Sequence, residues 1–270
     1  MQPIPKPKEI FPSVKIGVLM AVATAVCPFA SKWIRSPFDV HVNIFELGAG
    51  GMGATFPYNV SLVLNFVFTA LVFNLLFWIA LKYLVLRIEG RERLKHVLEL
   101  CAVGIIVATA MGVAFHWGLD RANGLYQDQY GHDTTPAYAY IYFMDEWMGH
   151  ALQETGIMGY FVVLVVAEHG IPKPRKIHWV EIPWIVGIAA VLAVAVGYAA
   201  LGSETAILML VASCIFLGIE LGYKFLKKAS LLQNPLLLAT TIANIAVIVQ
   251  NIVFIGMYGL SPWYPWLRPG

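Results

Sequence analysis

Charge is what this chain has least of. Asp, Glu, Lys and Arg make up 13% of its 270 residues, against 59% hydrophobic residues, and the mean hydropathy is +0.71. So small a polar inventory cannot clothe a water-exposed surface, which excludes a soluble globular domain and points to a polytopic membrane protein. Cysteine is as scarce. Cys27, Cys101 and Cys214 stand singly in three apolar runs with no CxxC spacing, so they read as small buried side chains and not as a disulfide framework or a thiolate metal site. The stretch GAGGMG at 48–53 lacks the GxxxxGK[ST] pattern and follows no expected strand, which excludes a phosphate loop. There is no internal repeat and no low-complexity tract. The net charge of +2 gives no reason to expect a nucleic-acid partner, because the basic residues are distributed as a membrane would distribute them. No convincing cleavage site follows the first apolar run, so MQPIPKPKEIFPS reads as a basic, proline-rich preamble to a helix that is retained.

What the chain does have is long apolar runs. A spanning helix needs about 20 mostly apolar residues, and seven runs qualify, near 14–31, 59–84, 97–119, 138–167, 181–200, 205–223 and 233–259. They leave room for little else, so the expected fold is a single all-α domain, residues 1–270, built as a bundle of about seven transmembrane helices. Fourteen of the 18 Lys and Arg residues fall before run one or between runs two and three, four and five, and six and seven, with Lys15 and Lys82 counted at the run edges. By the excess of positive charge on cytoplasmic loops, the amino terminus is expected in the cytoplasm and the carboxyl terminus outside, in the plasma membrane of a prokaryote. Loop 35–58 is too long and apolar for a plain connector, and is expected to form an interfacial helix or a re-entrant lid.

Ionisable residues inside lipid are costly, and they mark function by default. Run four contains DEWMGHALQE, in which Glu146, His150 and Glu154 recur every four residues and so share one helix face, flanked by Asp145 and Gln153. Run three ends in GVAFHWGLD, with His116 and Asp120 also four apart. The two clusters should lie at similar depth on the outer side, and if helices three and four are neighbours the residues can converge. Helix four is long enough to lift Asp145 and Glu146 towards water, whereas Glu154 lies about 12 Å further along the helix at about 1.5 Å per residue. Two histidines with carboxylates suit a divalent metal, zinc by preference, with iron or copper as alternatives. His116, Asp120, Glu146 and His150 are the candidate ligands, and Asp145 and Glu154 the candidate catalytic carboxylates. A polar network that merely holds the two helices together is the plain alternative. Elsewhere, Glu220 precedes Lys224 by four residues and is expected to pair with it. Glu168 and His169 are expected at the interface.

FHWGLD followed by MDEWM resembles the alkaline ceramidase type of seven-helix membrane hydrolase, which has a histidine late in one helix and an Asp-Glu start to the next. The resemblance covers about ten residues and implies that His116 binds zinc and that Asp145 is the catalytic aspartate. Two of that family's features are missing: its serine four residues before the histidine is Gly112 here, and no histidine follows His178 to supply its late His-x-x-x-His. A retinal-binding helical protein is excluded, because run seven has no lysine for a Schiff base.

The sequence thus predicts a membrane protein whose metal activates water against a lipid-like substrate, with a carboxylate as general base. The alternatives are a metal-dependent oxidase or oxygenase, a non-catalytic subunit of a membrane complex, and a proton or ion pathway through Glu146, His150 and Glu154. The pathway meets one objection. The polar stripe ends at YFVVLVV, so any through-route must leave helix four.

Overall fold

The computed structural model describes residues 10–27, 41–47, 54–59, 64, 66–130, 136–172, 176–202, 205–226 and 230–259. Apart from one short ribbon, these residues form helices and their connecting turns. The helices are α1 (Pro12–Val26), α2 (Val67–Val85), α3 (Glu92–Tyr130), α4 (Pro136–Gly170), α5 (Ile182–Gly202), α6 (Ala206–Leu226) and α7 (Pro235–Tyr258). Among the described residues six of them, α2 to α7, are long and apolar enough to cross a membrane. They are the helices of a multi-pass integral membrane protein. α1 is equally apolar but has 15 described residues, about 22 Å at about 1.5 Å per residue.

Two connectors differ from expectation. Loop 35–58 contains no described helix: β1 (His41–Leu47) and β2 (Ala54–Asn59) pair antiparallel, His41 opposite Asn59 and Leu47 opposite Ala54. Its β-branched and aromatic residues in VHVNIFEL suit a pleated strand better than a helix. GAGGMG therefore does follow a strand, although its own residues lie outside those described. The outer loop expected from 120 is largely helix, since α3 runs 39 residues to Tyr130. No proline interrupts the chain until Pro136.

α4 is the most deeply enclosed of the spanning helices. It lies along α3 on one side and meets α2, α6 and α7 on others, while α5, α6 and α7 pack on one another and α1 lies against α5. Tyr160 of α4 is fully buried, with its ring stacked 4.0 Å from Phe77 and tilted 5.5 Å from Phe73 of α2, and its hydroxyl donates to Asn74 Oδ1. The aromatic body fills the core and the hydroxyl still finds an acceptor.

Three carboxylates, among them Glu168 and Glu220, which were expected at the rim and in a local pair, prove to be interior fastenings. Glu168, expected at the interface, is fully buried and accepts the backbone N–H groups of Leu236 (3.1 Å) and Leu237 (3.4 Å), which have no carbonyl partner in the first turn of α7. Glu181 accepts the N–H of Phe11 through Oε1 and that of His178 through Oε2, both at 2.8 Å. Glu220 faces α7 and not Lys224: its Oε2 accepts from Thr241 Oγ1 and Asn244 Nδ2, each at 3.3 Å.

Candidate functional site

Helices three and four are neighbours, and glycine is the reason. A Cβ on Gly112 would stand 2.6 Å from the backbone N of Gln153 and 2.8 Å from the carbonyl O of Gly149. A Cβ on Gly149 would stand 2.8 Å from the N of His116, and one on Gly156 would collide with Thr109. Only hydrogen fits at these three points, so the two backbones touch as small residues allow within membranes. Gly112 is the position that the ceramidase-type resemblance would align with a serine. Here no side chain fits.

This contact carries His116 onto α4. Its ring lies 4.1 Å from that of His150, centroid to centroid, and its Nδ1 is 2.9 Å from Asp145 Oδ1. Asp145 was expected near water, yet its side chain is wholly buried. The segment Phe143–Gly149 is wound as a π-helix, with hydrogen bonds from each residue to the fifth before it, a winding often found at functional sites. Within this wide turn Asp145 faces α3, while the adjacent Glu146 places Oε2 3.6 Å from His150 Nε2.

His150 stands between two carboxylates. Its Nδ1 is 3.4 Å from Glu154 Oε1, on the side opposite the Nε2 that faces Glu146. Glu154 is buried to within 3%, and its Oε2 accepts a 2.7 Å hydrogen bond from the hydroxyl of Thr205. Thr205 immediately precedes α6, so the carboxylate lies at that helix's positive end, where the aligned peptide dipoles favour negative charge. Sequence reasoning missed Thr205. Its signal was a threonine directly before an apolar run, in the place of a helix cap.

Five of the six candidate residues, His116, Asp145, Glu146, His150 and Glu154, thus come together in one cluster. The sixth, Asp120, lies four residues beyond His116 on α3, but its side chain is outside those described. Comparison with family models, with curated proteins and with solved structures finds no match for this chain. The site is read from its own geometry.

Histidine ligands usually have one ring nitrogen held by a carboxylate, and Asp145 holds His116 in that way. But among the described residues no three His, Cys, Asp or Glu side chains are arranged to hold an ion, and both nitrogens of His150 already face carboxylates. What the cluster offers is acid next to base next to acid. Two neighbouring oxygens or nitrogens are also unsatisfied: Gln153 Oε1 and Trp117 Nε1 are buried without hydrogen-bond partners among the described residues.

Proposed function

We propose that the chain is a proton-handling membrane protein in which His150 passes protons between Glu146 and Glu154. The observation that carries this reading is that the two ring nitrogens of one imidazole face two different carboxylates. Imidazole takes up a proton on one nitrogen and releases it from the other, and its affinity for protons lies near neutrality. Asp145 supports His116 against the same ring. The basic residues favour a cytoplasmic amino terminus and an outer carboxyl terminus in a prokaryotic plasma membrane, with α1 as the seventh crossing. In that orientation the cluster lies in the outer half of the membrane, with Glu146 nearest to water and Glu154 deeper.

The test is reconstitution into liposomes carrying a pH-sensitive dye, with a potassium diffusion potential imposed. Protein-dependent acidification is expected, and it should fall at least about tenfold in His150→Ala and Glu154→Gln, in line with the worth of a placed proton-transfer group. Wild-type flux no greater than that of empty liposomes would overturn the reading.

One observation favours a second reading, metal-dependent hydrolysis of a lipid-like substrate. Asp145 holds His116 by Nδ1, and this is the pair to which the ceramidase-type resemblance assigns the zinc ligand and the catalytic aspartate. Because no three donors converge in the described cluster, no step is drawn through the metal. Metal analysis of protein prepared without chelators decides this reading. Stoichiometric metal lost in both His116→Ala and His150→Ala supports it, and protein free of metal sinks it.

A further inference from the structure

Glu154 is not the only carboxylate held deep in the bundle. Glu220 of α6 is 2% exposed, and its Oε1 has no hydrogen-bond partner among the described residues, although Thr241 and Asn244 both donate to Oε2. A buried carboxylate so placed is expensive unless it is neutral or accompanied by a cation. Among the described residues no cation is paired with it. It lines a partly open cavity between α4, α5, α6 and α7, with about 30 Å³ of space for water centres. The walls from α4 and α5 are entirely apolar, and α7 contributes Thr240 and Asn244, so Glu220 is the one titratable group among the described lining residues. Lys224 is a turn further on, its ammonium 5.4 Å from the Phe225 ring.

The cavity has a direction. Its wall on α4 begins with Ile157 and Met158, one helical turn beyond Glu154, and its far side is Glu220. Thr205, Met209, Ser213, Phe216 and Glu220 recur at three- and four-residue steps, and therefore lie on one face of α6 or at its head. The hydroxyl of Thr205 is bonded to Glu154. Ser213, eight residues on, is fully buried, and its hydroxyl lacks the usual bond to the carbonyl four residues back or any other partner among the described residues. On antiparallel α7, Asn244 faces Glu220, and Asn251, about two turns further along α7, is level with Ser213, about two turns before Glu220 on α6. Asn251 is likewise fully buried, with Oδ1 unpartnered. Orphaned buried oxygens are rare in folded proteins. Gln153 on α4, Ser213 and Glu220 on α6, and Asn251 on α7 supply four.

We propose that Glu220 is a second membrane-embedded proton carrier, the inner station of a route that leaves α4 at Glu154 and descends between α6 and α7. Its place in a route rests on the proton-handling reading of the α3/α4 cluster. The cavity has room for water molecules, which can carry a proton to the carboxylate. The step moves one proton from a carboxylic acid, through water, to Oε1 of the Glu220 carboxylate. No other bond changes. This answers the objection raised by YFVVLVV, since the route continues on other helices.

The test combines chemistry with flux. Dicyclohexylcarbodiimide adds to a protonated carboxyl in apolar surroundings and leaves a stable acylurea that peptide mass spectrometry locates. In reconstituted full-length protein, an adduct is expected on Glu220, declining as the pH is raised and the acid ionises, and absent from Glu220→Gln. Glutamine keeps the acceptor for Thr241, so this variant should elute and melt like wild type while its proton flux falls at least about tenfold. No adduct at Glu220, an adduct indifferent to pH, or protection by sodium at constant pH would each overturn the proposal. If wild type conducts and Glu154→Gln does not, yet Glu220→Gln conducts normally, the α3/α4 reading stands and this one falls. If wild type itself fails to conduct, the α3/α4 reading falls, and labelling alone decides whether Glu220 exchanges protons.

Discussion

The imidazole of His116 and the carboxylate of Asp145 meet at 2.9 Å across the α3–α4 seam, and the other oxygen of that buried carboxylate has no partner among the described residues. One histidine is thus the only described partner of a buried acid. Asp145→Asn keeps the shape but removes the charge-assisted bond, and should cost roughly 1.5–3 kcal/mol of stability. Thermal unfolding in detergent checks this, and an unchanged melting curve would show that the pair contributes nothing.

The helix seam makes a sharper prediction, because two glycines on α3 differ only in what surrounds them. Gly112→Ala inserts a methyl 2.6 Å from a backbone nitrogen, whereas Gly118→Ala meets nothing within 4 Å. The first should destabilise by about 1–3 kcal/mol through overpacking, and the second should be neutral or slightly stabilising. Equal melting temperatures for the two variants would contradict the close approach.

Glu154 and Thr205 should behave as one unit. In a double-mutant cycle, Glu154→Gln and Thr205→Val should show a coupling energy of at least about 0.5 kcal/mol, within the range found for hydrogen bonds between membrane helices. Strict additivity would mean that the 2.7 Å contact carries no energy.

Glu168 should act on a helix to which it does not belong. Its removal in Glu168→Ala leaves the N–H groups of Leu236 and Leu237 uncapped, at a cost of about 1 kcal/mol. Hydrogen exchange at the start of α7 should accelerate while exchange at the middle of α2 does not. Uniform acceleration would point to global loosening in place of a lost cap.

Sidedness is checked by labelling cells with an impermeant maleimide, in a background without native cysteines. Ala137→Cys, at the exposed start of α4, should react from outside, and Arg93→Cys should not. The reverse pattern would invert the orientation and carry the cluster to the cytoplasmic half.

The spans were legible because hydrocarbon thickness imposes a length that apolar runs reveal directly. The stripe Glu146, His150 and Glu154 was legible because helical periodicity is local. What joins these parts was not. The contact of α3 with α4 depends on three glycines, and a glycine in a sequence does not say whether it is bare because it is flexible or because a neighbour needs the space. Asp145 was misplaced because a regular α-helix and an interfacial start were assumed, where the chain winds a wider turn and turns that side chain inward. Glu220 was assigned to Lys224 by a local rule. The face it shares with Ser213 and Thr205 outweighed that rule, and such a face is recognisable only once α7 is known to lie against it. Thr205 escaped because its acceptor is 51 residues away in sequence.

The carboxylate of Glu181 also bears on the order of assembly. Its acceptor oxygen for the N–H of Phe11 is 170 residues distant in sequence, and α1 rests chiefly on α5. During synthesis α1 must therefore wait at the membrane, without its main supporting surface, until two-thirds of the chain has followed it out of the ribosome. Its docking is a late event in biogenesis, and a truncation ending before α5 would leave the first helix made but unmoored.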